Sequence, residues 1–287
     1  MKSYAVLLTL CFLIFCSCTR EITNLHYDAD LKKKACSPSS FLRTSGRSIV
    51  NEQGESVRLA GCNAGSWLLI EPWMINADGQ PDIETEKDLW DVVGSRFGEQ
   101  VKLDLIRTHR TSFFTREDVQ RMADIGMNCL RIPIGWRAIS DPHYGGDLSY
   151  LDDCIRWCRE FGVYAIIDLH GAPGAQSSNS VIVGERALNE LWKEESYRDA
   201  TVSWWTHIAA RYKDESIVAG YDLLNEAMDA SMGDLVTFYD RLYKAVRQAD
   251  PRHMLVVEDG LHGIYRLPHP DQMGWTNVVY SFHYYPQ

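Results

Sequence analysis

Polar residues that could carry chemistry fall where the apolar runs of this chain give out. Asn63 follows VRLAGC, Arg131 lies in NCLRIPIG and His170 in VYAIIDLHG. Asn225 and Glu226 close SIVAGYDLLNE, Glu258 and Asp259 close MLVVED, and His283 lies in NVVYSFHYY. Glu226 is the most telling of them. Its neighbours Leu223, Leu224 and Ala227 are apolar, and removal from water raises a carboxyl pKa toward that of a general acid at neutral pH. Asn225 beside it can offer an amide to a substrate hydroxyl. The plainer reading makes Glu226 a strand-end carboxylate that caps a helix or pairs with an arginine. Arg131, at the inner end of a sheet, needs a carboxylate partner. That partner is either structural or a group held ionised for attack. His170 and His283 suit metal ligation, base catalysis or simple hydrogen bonding. No His-x-x-x-His helix is present. The first strand reads Gly61-Cys62-Asn63 where many metal-dependent hydrolases of barrel type carry His-x-His. The set points to carboxylate acid/base chemistry with no metal and no cofactor, the kind that cleaves glycosidic bonds with paired carboxyl groups.

The elements that must hold these residues follow a strand-then-helix rhythm. FLRTSGRSIVNEQGESVRLAGCN opens with two short alternating runs around Asn51-Glu52-Gln53-Gly54, a hairpin signal, and continues into a first main strand over Val57 to Cys62. A polar, helix-rich stretch runs on to Phe114. Thr115 with Asp118 reads as a capped helix start, and Val119, Met122 and Ile125 recur at helical spacing. Pro133 is expected at the exit of the strand NCLRIPIG. Leu151, Cys154, Ile155, Cys158 and Phe161 mark another helix, Val202, Trp205, Ala209 and Tyr212 the next, and Leu235, Phe238, Leu242 and Val246 a further one before Asp250-Pro251. Apolar strands alternating with amphipathic helices imply a parallel sheet covered by helices. No Gly-x-Gly-x-x-Gly or phosphate loop follows any strand, which weakens an open nucleotide-binding sheet. A barrel places functional residues from different strands at the C-terminal face, and here polar residues close all six strands. The expected fold is an α/β (β/α)8 TIM barrel of which this chain holds six of eight strand–helix units.

The bulk numbers agree. The chain has 287 residues, 45% hydrophobic and 24% charged, with a formal charge of −10 that argues against a nucleic-acid partner. Nine tryptophans serve either the core or the walls of a sugar cleft. Lys2 followed by the apolar run Tyr4 to Phe15 and LIFCSCTRE reads as a secretory signal. Ser17-Cys18 resembles a lipoprotein cleavage site, with Cys18 lipidated; Cys16, or plain secretion, is the alternative. Residues 1–18 are then the signal, 19–40 a tether containing Lys32, Lys33 and Lys34, and 41–287 the folded domain. Cys36, Cys62, Cys129, Cys154 and Cys158 match no zinc spacing, and the pair Cys154 and Cys158 reads as small core residues.

On these motifs the chain resembles glycoside hydrolase family 5, the cellulase-like clan of (β/α) barrels. SGRSIVNEQGESVRLAGCNAGSWLLIEPW is similar to the family's opening, and CLRIPIGW, IIDLHGAPGAQ, YDLLNEAMD and VVYSFHYY to its second, third, fourth and sixth strands. The resemblance implies roles by position. Glu226 is the acid/base, and Asn225 binds the sugar 2-hydroxyl. Arg131 holds the nucleophile ionised, His170 and His283 line the subsite, and Tyr285 hydrogen-bonds the nucleophile. GSWLLIEPW resembles the exo-β-1,3-glucanase branch, in which Glu71 would touch the terminal glucose; Trp67 is either a stacking wall or core. That branch carries an Asp-Asn pair where this chain reads SSNSVIVGE. The resemblance also implies a retaining mechanism on β-linked glucan or a related oligosaccharide. The N-terminal signal, not the resemblance, implies export and a membrane contact only through a lipid anchor; a monomer is expected. The family's nucleophile belongs to a seventh strand, so the expectation is a chain cut short after its sixth strand and lacking that residue. Neither Glu258 nor Asp259 fits its position. The rival expectation is an inactive carbohydrate-binding surface protein.

Overall fold

The computed structural model describes residues 40–77, 79–186 and 189–285. The signal, nearly all of the tether, Cys18 and Cys36 therefore lie outside the described residues. Ser40, expected in the tether, is instead buried, and its carbonyl accepts from the Tyr164 hydroxyl.

Eight strands occur among the described residues: β1 (Arg43–Ser45), β2 (Ser48–Val50), β3 (Gly61–Asn63), β4 (Cys129–Gly135), β5 (Tyr164–Gly171), β6 (Val218–Asp222), β7 (Met254–Glu258) and β8 (Val278–Ser281). The longer helices are α1 (Glu86–Phe97), α2 (Glu99–Ser112), α3 (Arg116–Asp124), α4 (Ser149–Phe161), α5 (Glu195–Tyr212) and α6 (Met232–Ala249). Strands β3 to β8 form one six-stranded parallel sheet in sequence order. Among the described residues neither β3 nor β8 pairs on its outer side, so the sheet they form does not close. It is six units of a (β/α)8 barrel with an open seam.

Local sequence explains most of these elements. Thr115 and Asp118 exchange side-chain and backbone bonds at the start of α3 as a capping box. Val119 and Met122 are buried, but Ile125 is 62% exposed, because α3 stops at Asp124 and Ile125 only caps it. On α4 the buried face is Leu151, Cys154, Ile155 and Cys158, as expected for small core thiols. On α6, Leu235, Phe238, Leu242 and Val246 are all buried. Trp205, Ala209 and Tyr212 do the same for α5. Strands β6 and β7 are buried at every position.

Three expectations shift. The tight hairpin turns at Gly46-Arg47, between β1 and β2; the Asn51–Gly54 turn makes a second reversal, returning Ser56 to bridge Val50. The first main strand is short because the Asn128 side chain, not a neighbouring backbone, meets the carbonyl of Arg58 and the amide of Ala60, each at 2.8 Å. Pairing begins only at Gly61, where a Cβ would lie 1.6 Å from the Cys129 carbonyl oxygen. Pro133 lies inside β4, opposite Asp168, just before a register shift at Ile134 and Gly135.

Candidate active site

Parallel strands in register turn residues of one parity to one face. Asp168 of β5 stands opposite Asp222 of β6, and Pro133 of β4 stands opposite Asp168. Two residues earlier on β4, Arg131 reaches up into this row. Its guanidinium donates to Asp222 Oδ2 at 2.8 Å, Asn225 Oδ1 at 3.0 Å and Glu258 Oε1 at 3.1 Å, and pairs with Asp168 Oδ2 at 3.1 Å. Burial disfavours the charge on Arg131, but the carboxylates of Asp168, Asp222 and Glu258 outweigh it and hold the proton more firmly than usual. Burial also lifts the Asp222 carboxyl well above its usual range; Arg131 opposes this, while Glu258 and Asp168 add to it. Arg131 thus finds three buried carboxylates rather than one.

Asp168 Oδ2 also accepts from His170 Nδ1 at 2.6 Å. A carboxylate can only accept, so the proton sits on Nδ1, and Nε2 faces Glu71, 3.9 Å away. Glu71 in turn accepts from Trp73 Nε1 at 2.8 Å. Buried Gln176 ties the loops together: its amide nitrogen donates to the carbonyls of His170 and Asn225, and its oxygen accepts from Ala172 N.

Glu226 is not on the strand. β6 ends at Asp222, and Glu226 sits four residues on, in a turn, at φ +40°. Its amide donates to Glu258 Oε2 at 2.7 Å. Its Oε1 accepts from His283 Nδ1 at 2.5 Å and from the Tyr285 hydroxyl at 2.6 Å. His283 Nε2 meets Glu258 Oε1 at 3.0 Å, so one imidazole bridges two carboxylates. Hydrogen bonds to Glu226 and Glu258 push the His283 pKa up to about 10. The bond to Glu226, with burial, pushes the Tyr285 phenol up to about 12.

These donors reverse one expectation. Burial does raise the Glu226 carboxyl, but the bonds from His283 and Tyr285 exceed it and leave the group below its ordinary value. The apolar neighbours in sequence were real, yet the donors arrive from 57 and 59 residues away. Tyr285, expected to bond a nucleophile, donates to Glu226 among the described residues.

A cleft of ≈ 430 Å³ opens over this face, lined among others by Glu71, Trp73, Arg131, His170, Glu226 and His283. Trp67 does not line it. It is 1% exposed, packs on Phe114 and donates to the Arg110 carbonyl, so it belongs to the core. Trp73, 57% exposed, is the tryptophan in the cleft; its place two residues after Glu71 in EPW was the only sequence sign of it. Asn225 is buried, with its Nδ2 meeting no acceptor among the described residues. Glu258, 2% exposed, lies behind Arg131 and His283, outside the cleft lining. Asp259 accepts from the amides of Leu261 and Gly263 and so shapes a turn. Spacing alone also gave no sign that Asp168, Asp222 and Gln176 would meet here. Among the described residues no group of three or more His, Cys, Asp or Glu is arranged to hold a metal.

The chain is 30% identical over 252 residues to a beta-xylosidase of Phanerodontia chrysosporium, covering 86% of this chain and 52% of that protein. It is 35% identical over 210 residues to the "Probable glucan 1,3-beta-glucosidase A" of Aspergillus fumigatus, covering 70% of this chain and 49% of that one. It therefore spans about half the length of these relatives. The rutinosidase structure from Aspergillus niger superposes with a TM-score of 0.65 at 18% identity, over 79% of this chain and 69% of that one, a likeness of fold. The family model for cellulase (glycosyl hydrolase family 5) matches residues 95–287, a span holding Arg131, His170, Glu226 and His283, and the chain belongs to that family.

Proposed function

We propose that this chain carries the acid/base half of a retaining β-glycosidase acting on β-glucan-type sugars. The observation that carries the reading is Glu226: a carboxylate on the cleft face, fixed by its neighbours, beside an Asn225 amide whose Nδ2 meets no acceptor among the described residues. By the family resemblance Asn225 would donate to the sugar 2-hydroxyl; it is 1% exposed and outside the cleft lining, so that contact rests on the resemblance and not on the geometry. His170, with its tautomer set by Asp168, and Glu71 would bind the sugar in the subsite, and Trp73 replaces Trp67 as its aromatic wall. Glu226 would protonate the leaving oxygen and then, as base, activate water.

The second carboxylate of that mechanism must stand about 5–5.5 Å from Glu226 for retention. Asp168, Asp222 and Glu258 are buried around Arg131 and off the cleft lining, so we assign the nucleophile to none of them. With Glu226 held below its ordinary pKa it serves as a base; a second carboxylate close by raises it by like-charge repulsion and makes it an acid. The relatives' names make β-glucosides and β-xylosides the first substrates to try. Export, a lipid anchor at Cys18 and a monomeric state belong to the same reading and rest on the sequence pattern.

The test is hydrolysis of aryl β-glucosides and β-1,3-gluco-oligosaccharides by the purified chain. Turnover that Glu226→Gln leaves unchanged sinks the acid/base assignment. Because no nucleophile is assigned within this chain, azide is supplied as an external nucleophile; oligosaccharide binding, measured by calorimetry, with no turnover even then favours a carbohydrate-binding surface protein. The burial of all three Arg131 carboxylates gives that second reading its support.

A further inference from the structure

We infer that Glu258 is a positioning residue for Glu226, acting on it both through its backbone and through His283; the inference rests on the reading of Glu226 as the acid/base. Glu258 closes β7 and is 2% exposed. Each of its oxygens is committed. Oε2 accepts from the Glu226 amide at 2.7 Å, and Oε1 accepts from Arg131 Nη2 at 3.1 Å and His283 Nε2 at 3.0 Å.

The first route is conformational. Glu226 holds φ +40°, a left-handed backbone that a residue with a Cβ adopts only when its surroundings impose it. That turn carries the Glu226 N–H out of the parallel ladder, and the Glu258 carboxylate meets it. A second tie runs through the Tyr239 hydroxyl, which accepts from the Glu258 amide at 3.2 Å and donates to the Leu224 carbonyl at 3.3 Å. The segment from Leu224 to Glu226 is thereby pinned to the end of β7.

The second route is electrostatic. His283 is faced by Glu226 from the turn after β6, Glu258 from β7, Tyr285 from its own segment, and Arg131 from β4, with Asp168 and Asp222 behind it. Arg131 already has Asp168 and Asp222, so Glu258 is not needed to balance it alone. For the His283 Nε2–H, Glu258 is the acceptor the structure provides. It orients the ring so that Nδ1–H points at Glu226 Oε1, and it keeps the imidazolium charged beside the acid/base.

The experiment follows the His283 imidazole by NMR as pH is raised, in the wild-type chain, Glu258→Gln and Asp222→Asn. Both variants remove one carboxylate from Arg131, but only Glu258→Gln removes the anionic partner of His283; the amide oxygen left there can still accept but carries no charge. The expected result is a fall of the His283 midpoint by more than one pH unit in Glu258→Gln and by a few tenths in Asp222→Asn. Equal shifts, or none, would show Glu258 to be a charge balancer only and overturn the inference. If Glu258→Gln fails to fold, Glu258→Asp keeps the charge and shortens the reach. It should then lower the midpoint by less than one unit, and an unmoved midpoint overturns the inference again. The readout does not depend on turnover. A chain that binds no oligosaccharide yet shows the Glu258-dependent midpoint defeats the glycosidase reading and leaves the positioning intact. A chain that binds oligosaccharide but whose midpoint ignores Glu258 does the reverse.

Discussion

The middle of the sheet and its two edges are built differently. β6 and β7 are buried at every position, and β4 and β5 at all but one position each. β3 is exposed at all three of its residues and β8 half-buried at all four. The middle holds Arg131, Asp168, Asp222 and Glu258 in a charge cluster that low exposure makes rigid and dear to disturb. The ends add cleft groups to Arg131 and His170 of the middle: Glu71 and Trp73 follow β3, and His283 and Tyr285 follow β8. The buried charge cluster belongs to the middle strands, while the cleft lining draws on both middle and edges. Glu226 joins them, its backbone held by Glu258 from the middle and its carboxylate by His283 and Tyr285 from an edge.

The comparison breaks most severely at Arg131. Arg131→Met leaves three buried carboxylates without their cation and should lower stability by about 3–5 kcal/mol in urea unfolding. Leu242→Ala, on the α6 face that covers the middle strands, should cost about 2–5 kcal/mol by the same measurement. A loss under 1 kcal/mol for either would mean the middle is not the rigid part.

Next comes pH. His283 has its pKa raised from 6.5 to about 10, so its contribution is complete below pH 6.5 and is lost as pH rises through about 10. Glu226 is shifted down from 4.5, so its contribution is present above that value and lost as the medium acidifies below it. Thermal unfolding should therefore show an alkaline decline that His283→Ala flattens, and an acid decline that Glu226→Gln flattens.

Smaller effects belong to the edges. Trp73→Ala should weaken oligosaccharide binding by about tenfold, the order of 1.4 kcal/mol, while its Tm stays within a degree or two of wild type on the order expected for surface changes. Cys62→Ser, on exposed β3, should change stability by no more than about 0.5 kcal/mol. A large loss there would show that β3 is covered in solution.

The legible part was local. The capping box at Thr115, the buried faces of α4 and α6, and the existence and order of six parallel strands follow from spacing that repeats within a few residues. The motif around Glu226 placed it at the right end of the right strand, within four residues. What sequence could not show was the left-handed turn of Glu226, the choice of Trp73 over Trp67, and the partners of Arg131.

Periodicity and capping by themselves determined which segments are helices and strands, because those preferences act between residues three or four apart, or two apart on a strand. Only the tertiary structure decided the protonation of the site. The donors on Glu226 and the carboxylates on Arg131 come from strands tens of residues distant, and a pKa answers to whatever charge and burial lie within a few ångströms, wherever in the chain they originate.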